Sequence, residues 1–246
     1  MRRFFVDQSA IDGDEAVLNA DESHHLAKVL RLTTGGHVQL FDGEGTVYDG
    51  VILETGALNR ARVRILSSRQ ETASTRPLVI AQAILRGGKM DELLQRYTEL
   101  GVDTFVPIWT SRCQGSFNQS KEIERQARQR RIVEAACKQS GRAHPLRLAR
   151  PQSFADFLDD YSEEQPGWRR LMFWEEEEAT SLRDISFADA GAIVAVIGPT
   201  GGLTPEEAAM ARAHGFYTVR LAGHILRAET AGITVAALCQ FLLSNI

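Results

Sequence analysis

Apolar and polar positions along the chain follow two rhythms, one before and one after a polar stretch near residue 70. In the first part, apolar residues come in short runs: Phe4-Phe5-Val6, then His37-Val38-Gln39-Leu40-Phe41, then Tyr48 to Glu54. The second run ends at Asp42-Gly43-Glu44-Gly45, a hairpin-type turn. Ala61 to Leu66 alternates, Val63 and Ile65 inward and Arg62 and Arg64 outward, the period of a half-buried strand. One short helix, about Ser23 to Arg31, interrupts these strands. So many short strands in so little chain predict a small barrel.

Ser67 to Pro77 is polar and aperiodic and reads as a linker. Beyond it strands and helices alternate. Leu78 to Leu85 is a buried strand, Arg86-Gly87-Gly88-Lys89 a loop, and Met90, Leu93, Leu94, Tyr97 and Leu100 one helix face closed by Gly101. Val102 to Trp109 is the next strand, Ser153 to Tyr161 is helical, and Arg170 to Trp174 is a strand. The most informative pattern lies nearer the C-terminus. Ile193 to Ile197 is an apolar run that breaks into Gly198-Pro199-Thr200-Gly201-Gly202 before a helix. Tyr217 to Leu221 is a second run, and Ala222 to Ala231 a second loop, leading into an apolar helix over Ile233 to Leu243. A buried strand emptying into a Gly-rich loop before a helix is how α/β proteins build ligand sites. Here it happens twice, so two loops can converge on one ligand.

The helix start after the first loop narrows the ligand. Thr204 is a good N-cap, Pro205 suits the first helical position, and Glu207 completes a capping box. A phosphate site needs free N–H groups and positive potential at a helix start. Pro205 removes one N–H, and Glu206 and Glu207 repel an anion. The loop also lacks the Lys-Ser/Thr of a P-loop and the glycine spacing of a dinucleotide fingerprint. A nucleoside without phosphate, read by backbone groups, fits better. S-adenosylmethionine, with its cationic sulfonium, is such a ligand; ATP and NAD are not.

Composition adds limits. The chain has 246 residues, 43% hydrophobic and 24% charged, ordinary for a soluble globular protein. Its three cysteines, Cys113, Cys137 and Cys239, are widely spaced without a C-x-x-C and read as reduced thiols, Cys239 in a core run. Met1 to Asp7 has too few apolar residues for a signal peptide, and the longest apolar stretch falls well short of a membrane span of about 20 residues. The expectation is a soluble, cytoplasmic protein with no membrane partner.

Net charge is −4, mildly against a nucleic-acid partner, but distribution outweighs the sum. Residues 121–142 carry Lys121, Arg125, Arg128, Arg130, Arg131, Lys138 and Arg142 against Glu122, Glu124 and Glu134. So one-sided a segment is either a phosphate track or a solvated face. It lacks the aromatic interleaving of a stacking platform, so it would position RNA rather than read bases. His24 and His25 are no metal pair, because neighbours on a helix point about 100° apart. Glu175 to Glu178 reads as a solvated helix start.

Gly198-Pro199-Thr200-Gly201-Gly202-Leu203-Thr204, with Leu226-Arg227-Ala228-Glu229-Thr230-Ala231, closely resembles the signature of the RsmE family of SPOUT methyltransferases. Arg2-Arg3-Phe4-Phe5-Val6, His24-His25-Leu26, Val29-Leu30-Arg31, Gly88-Lys89-Met90, Glu99-Leu100-Gly101-Val102, Glu134-Ala135 and Gln139-Ser140-Gly141-Arg142 extend it over nearly the whole chain. Two positions depart: the family usually has Glu at Thr200 and Arg at His224. The resemblance implies an α/β fold, a SPOUT domain with a C-terminal trefoil knot (78–246), preceded by a PUA-like, RNA-binding β-barrel (1–70) and a linker (71–77). It implies S-adenosylmethionine-dependent methylation of N3 of one uridine in 16S rRNA of the small ribosomal subunit, by a homodimer. A SPOUT ribose 2′-O-methyltransferase and a non-catalytic RNA-binding assembly factor are the alternatives.

Candidate residues follow. Gly198, Gly201, Gly202 and Gly223 are assigned to close backbone approach. Phe173, Ile197, Leu221, Ile225 and Leu226 either flank the adenine or belong to the core, and Thr230 closes the cofactor set. Uracil N3 must lose a proton, so a cation near O2 and O4 would stabilise the developing charge, and Arg227 is the candidate. Glu229 is a general base, an orienter of Arg227, or a first-turn residue favoured by the helix dipole. For RNA, Arg2, Arg3, His25, Arg31, Lys89, Arg112, Arg131 and Arg142 are the candidates; Arg62 and Arg64 fit a solvated strand face better.

Overall fold

The computed structural model describes residues 1–56, 60–114, 122–162, 166–221 and 223–246. The chain divides into two compact units, Met1–Ala73 with Glu134–Pro145, and Ser74–Val133 with Leu146–Ile246. The segment Glu134–Pro145, expected in the second domain, therefore belongs to the first unit. The cause is side-chain contact remote in sequence. Lys138 Nζ pairs with Glu22 at 2.6 Å, and a ring nitrogen of His144 lies 2.8 Å from the Glu71 carbonyl.

The first unit is built on a six-stranded sheet. Its strands are β1 (Arg2–Phe5), β2 (Ile11–Asp12), β3 (Glu15–Val17), β4 (His37–Phe41), β5 (Thr46–Glu54) and β6 (Arg62–Gln70), in the order β1-β4-β5-β6-β3-β2. Only the β1–β4 pair is parallel among them. Among the described residues the hydrogen-bonded path ends at β1 and β2, so the expected barrel is not closed by a continuous ladder. Alternation does place Phe4, Val38, Leu40, Ile52 and Val63 in one core with Leu18 and Leu26. Ser67 to Gln70, expected in the linker, belong to β6, with Gln70 opposite Thr46. Ladder hydrogen bonds are made by backbone, so a polar run extends a strand without an apolar period. The hairpin turn is as expected: Asp42 Oδ1 accepts from the backbone N–H of Glu44 and Thr46 at 2.8 and 3.0 Å. The short helix starts earlier than expected, as α1 (Ala20–His24) capped by Asn19, and passes into a single wide turn, His25–Val29.

The second unit holds a seven-stranded sheet, all of whose pairs are parallel. Its strands are β7 (Leu78–Ala83), β8 (Thr104–Trp109), β9 (Arg147–Leu148), β10 (Gln152–Ser153), β11 (Trp168–Phe173), β12 (Ala192–Ile197) and β13 (Tyr217–Val219). The order is β10-β8-β7-β12-β11-β13, with β9 also on β8. Central strands β7 and β12 are buried at every residue, as a parallel sheet covered on both faces requires. Its helices are α2 (Lys89–Glu99), the part of α3 (Glu122–Ser140) before Glu134, α4 (Phe154–Asp160), α5 (Pro205–Ala213) and α6 (Ala228–Leu242). Helix α2 buries Leu93, Leu94 and Tyr97, and Gly101 ends it at φ +78°.

Helix α6 packs on α2, β7 and β12. Gly232 makes this approach possible: a Cβ there would collide with the Tyr97 hydroxyl and meet Leu93 Cδ2 at 3.1 Å. Val235, Ala236 and Cys239 are fully buried, and burial pushes the Cys239 thiol up to about 12, which suits a core residue and no nucleophile. No helix among the described residues is long and apolar enough to cross a membrane.

Candidate active site

Because every strand pair of the second sheet is parallel, the C-terminal strand ends share one edge, where α/β proteins bind ligands. There a cleft of about 460 Å³ is lined by the loops after β11, β12 and β13. The two glycine-bearing loops singled out by sequence thus converge. The loop after β11 makes a third wall that sequence reading missed.

That third wall is Trp174 to Glu178. It is a turn, so the expected helix start at Glu175 is corrected. Four acids in a row carry no period; their position directly after a strand was the only clue. Glu177 is turned inward and accepts hydrogen bonds from Thr218 Oγ1 (2.5 Å), Arg212 Nη2 (3.0 Å) and the N–H groups of Ala179 and Thr180 (3.0 and 3.2 Å). Burial alone would raise its pKa, but these donors together outweigh it and hold the carboxyl at about 2. Arg212 also lies over the Trp174 ring at 5.4 Å. Glu175, Glu176 and Glu178 stay exposed along the cleft.

The loop after β12 is braced from several elements. Gln82, a fully buried polar residue in β7, donates to the Gly198 carbonyl at 3.2 Å and accepts from the Tyr97 hydroxyl at 3.0 Å. Trp174 Nε1 donates to the Leu203 carbonyl at 3.3 Å. Arg112 Nη1 donates to the Gly201 carbonyl at 3.0 Å and, more weakly, to that of Leu203 at 3.4 Å. Arg112, expected at the RNA, is thus engaged with the loop. The capping box of α5 is complete, Thr204 and Glu207 each accepting from the other's backbone N–H, and Glu207 also accepts from Ser111 N at 2.7 Å. Gln82 was legible only as a polar residue inside an apolar strand.

The glycines of this loop do not all serve the cleft. A Cβ on Gly198 would meet Leu203 Cγ at 2.9 Å, and one on Gly201 would meet Arg112 Cβ at 3.3 Å. Gly202 has φ +73°, and a Cβ there would collide with the Glu175 carboxylate. Gly201 does not line the cleft. Packing against Leu203 and Arg112 thus accounts for Gly198 and Gly201, and the left-handed backbone for Gly202, whose neighbour Glu175 is an exposed side chain; Gly198 and Gly202 also line the cleft. Gly223, in the loop after β13, has open space around it.

All five candidates for flanking the adenine line the cleft: Phe173 and Ile197 from the ends of β11 and β12, Leu221, Ile225 and Leu226 from the loop after β13. Ile225 is 87% exposed. Thr200 and His224 line it as well. Ala222 lies outside the described residues.

Arg227 lines the cleft from the N-cap position of α6, followed by Ala228 and Ala231 one turn on. Thr230 is exposed and absent from the lining, because its helical position faces away from that of Ala228 and Ala231. Glu229 is absent too, turned to Lys89 Nζ at 3.1 Å. Its own backbone N–H at the helix start, against a smaller opposing effect of burial, and then Lys89 and Arg227 lower its pKa. A carboxylate so stabilised is a weaker proton acceptor. Lys89, expected to meet phosphate, has this partner on α6.

Of the other RNA candidates, Arg2, Arg31 and Arg131 are exposed, with Arg31 in the left-handed region at φ +52°. Arg3 lies over the Phe41 ring at 5.1 Å, and desolvation lowers its pKa. The His25 ring stands edge-on to Phe4 at 6.2 Å, and Arg142 is half-buried. In the basic segment, Arg128 pairs with Asp91 and Lys138 with Glu22, while Lys121 and the Glu122 side chain lie outside the described residues. Arg62 and Arg64 pair with Glu15, the solvated strand face expected of them.

Residues 72–240 match the RNA methyltransferase domain family, and residues 18–66 the RNA methyltransferase PUA domain. A solved ribosomal RNA small subunit methyltransferase E from Neisseria gonorrhoeae, bound to S-adenosyl methionine, is 32% identical over 98% of each chain, with a TM-score of 0.85. The chain belongs to the RsmE family of RNA methyltransferases. Two further proteins are similar over nearly their whole length. A Mycobacterium bovis ribosomal RNA small subunit methyltransferase E is 29% identical over 98% of this chain and 92% of its own length. A Legionella pneumophila methyltransferase, solved in complex with the cofactor SAM, is 27% identical over 97% of this chain and 96% of its own, at a TM-score of 0.86. The RsmE fold is thus an α/β methyltransferase domain with a PUA-like domain.

Proposed function

We propose that this protein transfers a methyl group from S-adenosylmethionine to N3 of one uridine in the 16S rRNA of the small ribosomal subunit. The observation that carries the reading is the three-loop cleft at the carboxyl edge of the parallel sheet, in a chain of this family. The lining suits the cofactor: Phe173, Ile197 and Leu226 are apolar enough for an adenine, and Glu175, Glu176 and Glu178 favour a cation over a phosphate. The bound cofactor supplies an activated methyl group. The chain's own part is to hold the uracil so that N3 faces that methyl, which replaces a bimolecular encounter. Arg227, on the rim of the cleft, stabilises negative charge on the uracil oxygens as N3 loses its proton. Glu229, tied to Lys89, braces the start of α6 rather than taking that proton.

The rest of the reading concerns assembly. Residues 1–70 serve as an RNA-holding module, with Arg2, Arg3, His25, Arg31 and Arg142 near phosphates, joined by Arg131. The protein acts in the cytoplasm as a homodimer, for which exposed Phe241 on α6 is a contact candidate. Its C-terminal segment is threaded as a trefoil knot. In support, the chain leaves β13, beside β11, and returns to pack α6 on the central strands β7 and β12.

Titration with S-adenosylmethionine, with ATP and NAD as controls, tests the cofactor. Incubation with unmethylated small subunits followed by nucleoside mass spectrometry tests the reaction. The expected product is a base-methylated uridine. Absence of cofactor binding at millimolar concentration sinks the reading, and a sugar-methylated product replaces it with a ribose methyltransferase. Light scattering checks the dimer.

A further inference from the structure

The same sheet edge carries a second cavity, of about 300 Å³, at the ends of β7 and β8. Its lining includes Pro107, Trp109 and Pro151 together with Arg86, Arg125 and Arg128. Among the described residues Asp91, paired with Arg128, is the one acidic residue in that lining, so these residues make the cavity net positive where the cofactor cleft carries glutamates. Trp109 is half-buried at the last position of β8, whereas Arg86 is exposed. On its own, α3 offers cations without an aromatic; the fold brings Trp109 from the sheet to Arg125 and Arg128. A π face beside guanidinium groups is what an unstacked nucleotide needs, the base on the ring and the phosphate on the cations.

Position gives the cavity its role. β7 lies between β8 and β12, and strands are about 4.8 Å apart, so the middle of the β7–β8 pair is about 10 Å from the middle of the β12–β11 pair. The first turn of α2, which gives Met90 and Asp91 to this cavity, is also tied by the Lys89–Glu229 pair to the first turn of α6, which gives Ala228 to the cofactor cleft. Resting on the function proposed above, we infer that this cavity holds one unstacked nucleotide of the RNA substrate close to the target uridine. It is a stacking subsite that fixes the strand while the neighbouring base is presented to the cofactor cleft.

Affinity for unmethylated small subunits, measured by filter binding on the full-length protein, tests the subsite with Trp109→Ala, Trp109→Phe and Arg86→Glu. Loss of one base stack weakens binding about tenfold in Trp109→Ala. Trp109→Phe keeps a π face and stays within about threefold of wild type. Arg86→Glu also binds more weakly and flattens the log-affinity against log-salt slope by about 0.7 for a lost single-strand phosphate contact. Affinity for S-adenosylmethionine, by calorimetry, stays unchanged in all three. Wild-type RNA affinity in both Trp109→Ala and Arg86→Glu overturns the inference. So does a loss seen with intact subunits but not with naked 16S rRNA, which would assign the cavity to a ribosomal protein. If Trp109→Ala fails to fold, Arg86→Glu decides alone. Weakened RNA binding in a protein that transfers no methyl group sinks the proposed reaction and leaves the subsite standing; normal transfer with unaltered RNA affinity does the reverse.

Discussion

The loops after β12 and β13 look alike in sequence, each a strand running into glycine and then a helix, yet the fold treats them in opposite ways. Around Gly198, Gly201 and Gly202 the space a side chain would need is occupied by Leu203, Arg112 and Glu175, and carbonyls of the loop are held by Gln82, Arg112 and Trp174. Around Gly223 there is open space, and Ile225 stands almost fully in solvent. One loop is braced by the rest of the protein; the other leaves Ile225 in solvent. A glycine-rich loop in a sequence therefore marks where a site lies without saying what the glycines make room for.

That contrast can be broken experimentally. Gly202→Val puts a β-branched residue at a left-handed φ beside an exposed Glu175 that can move aside, and should cost about 2–3 kcal/mol and abolish S-adenosylmethionine binding by calorimetry; wild-type melting and affinity would show that the first loop yields. Arg227→Ala, in the second loop, should reduce turnover about 100-fold while leaving cofactor affinity and melting temperature unchanged. Retained turnover removes Arg227 from the mechanism.

Gln82→Leu deletes the brace on Gly198 and leaves that carbonyl and the Tyr97 hydroxyl without this partner, for about 2 kcal/mol in urea unfolding. Glu177 sharpens the contrast through pH. Its folded pKa, about 2, lies below the ordinary glutamate value of 4.5, so its stabilisation is full above about pH 4.5 and fades as pH falls toward 2. Glu177→Gln should thus be less stable at neutral pH, by about 1–2 kcal/mol, with the gap to wild type closing in acid. A gap that stays constant with pH would contradict the ionised, multiply bonded carboxylate. At the small end, Gly223→Ala and Ile225→Ser should each change stability by no more than about 0.5 kcal/mol, with Ile225→Ser losing a few-fold in cofactor affinity. A large drop in melting temperature for either would mean that the second loop is packed after all.

Much of this was legible in advance because it is local. The capping box at Thr204 and Glu207, the amphipathic face of α2 and the turn at Asp42 each depend on residues a few positions apart. Their periods and spacings survive in one dimension. Glu177, Gln82 and Arg112 were not legible, since each acts on a partner from a different element. The run Glu175 to Glu178 shows the difficulty: four identical residues, of which the fold buries one beneath Thr218 and Arg212 and leaves three facing the cleft.

By itself the sequence determined the two rhythms of the chain, the strands that end in glycine loops, and a helix start unfit for phosphate. Those are properties of backbone preference and hydrophobic period, which act over one or two turns. Only the tertiary structure decided that Glu134–Pro145 joins the N-terminal unit, that Lys89 meets Glu229, and that Trp109 stands beside Arg125 and Arg128. Such pairings arise when a parallel sheet brings distant strand ends to one edge, and strand order is set by packing of the whole core rather than by any local run of residues.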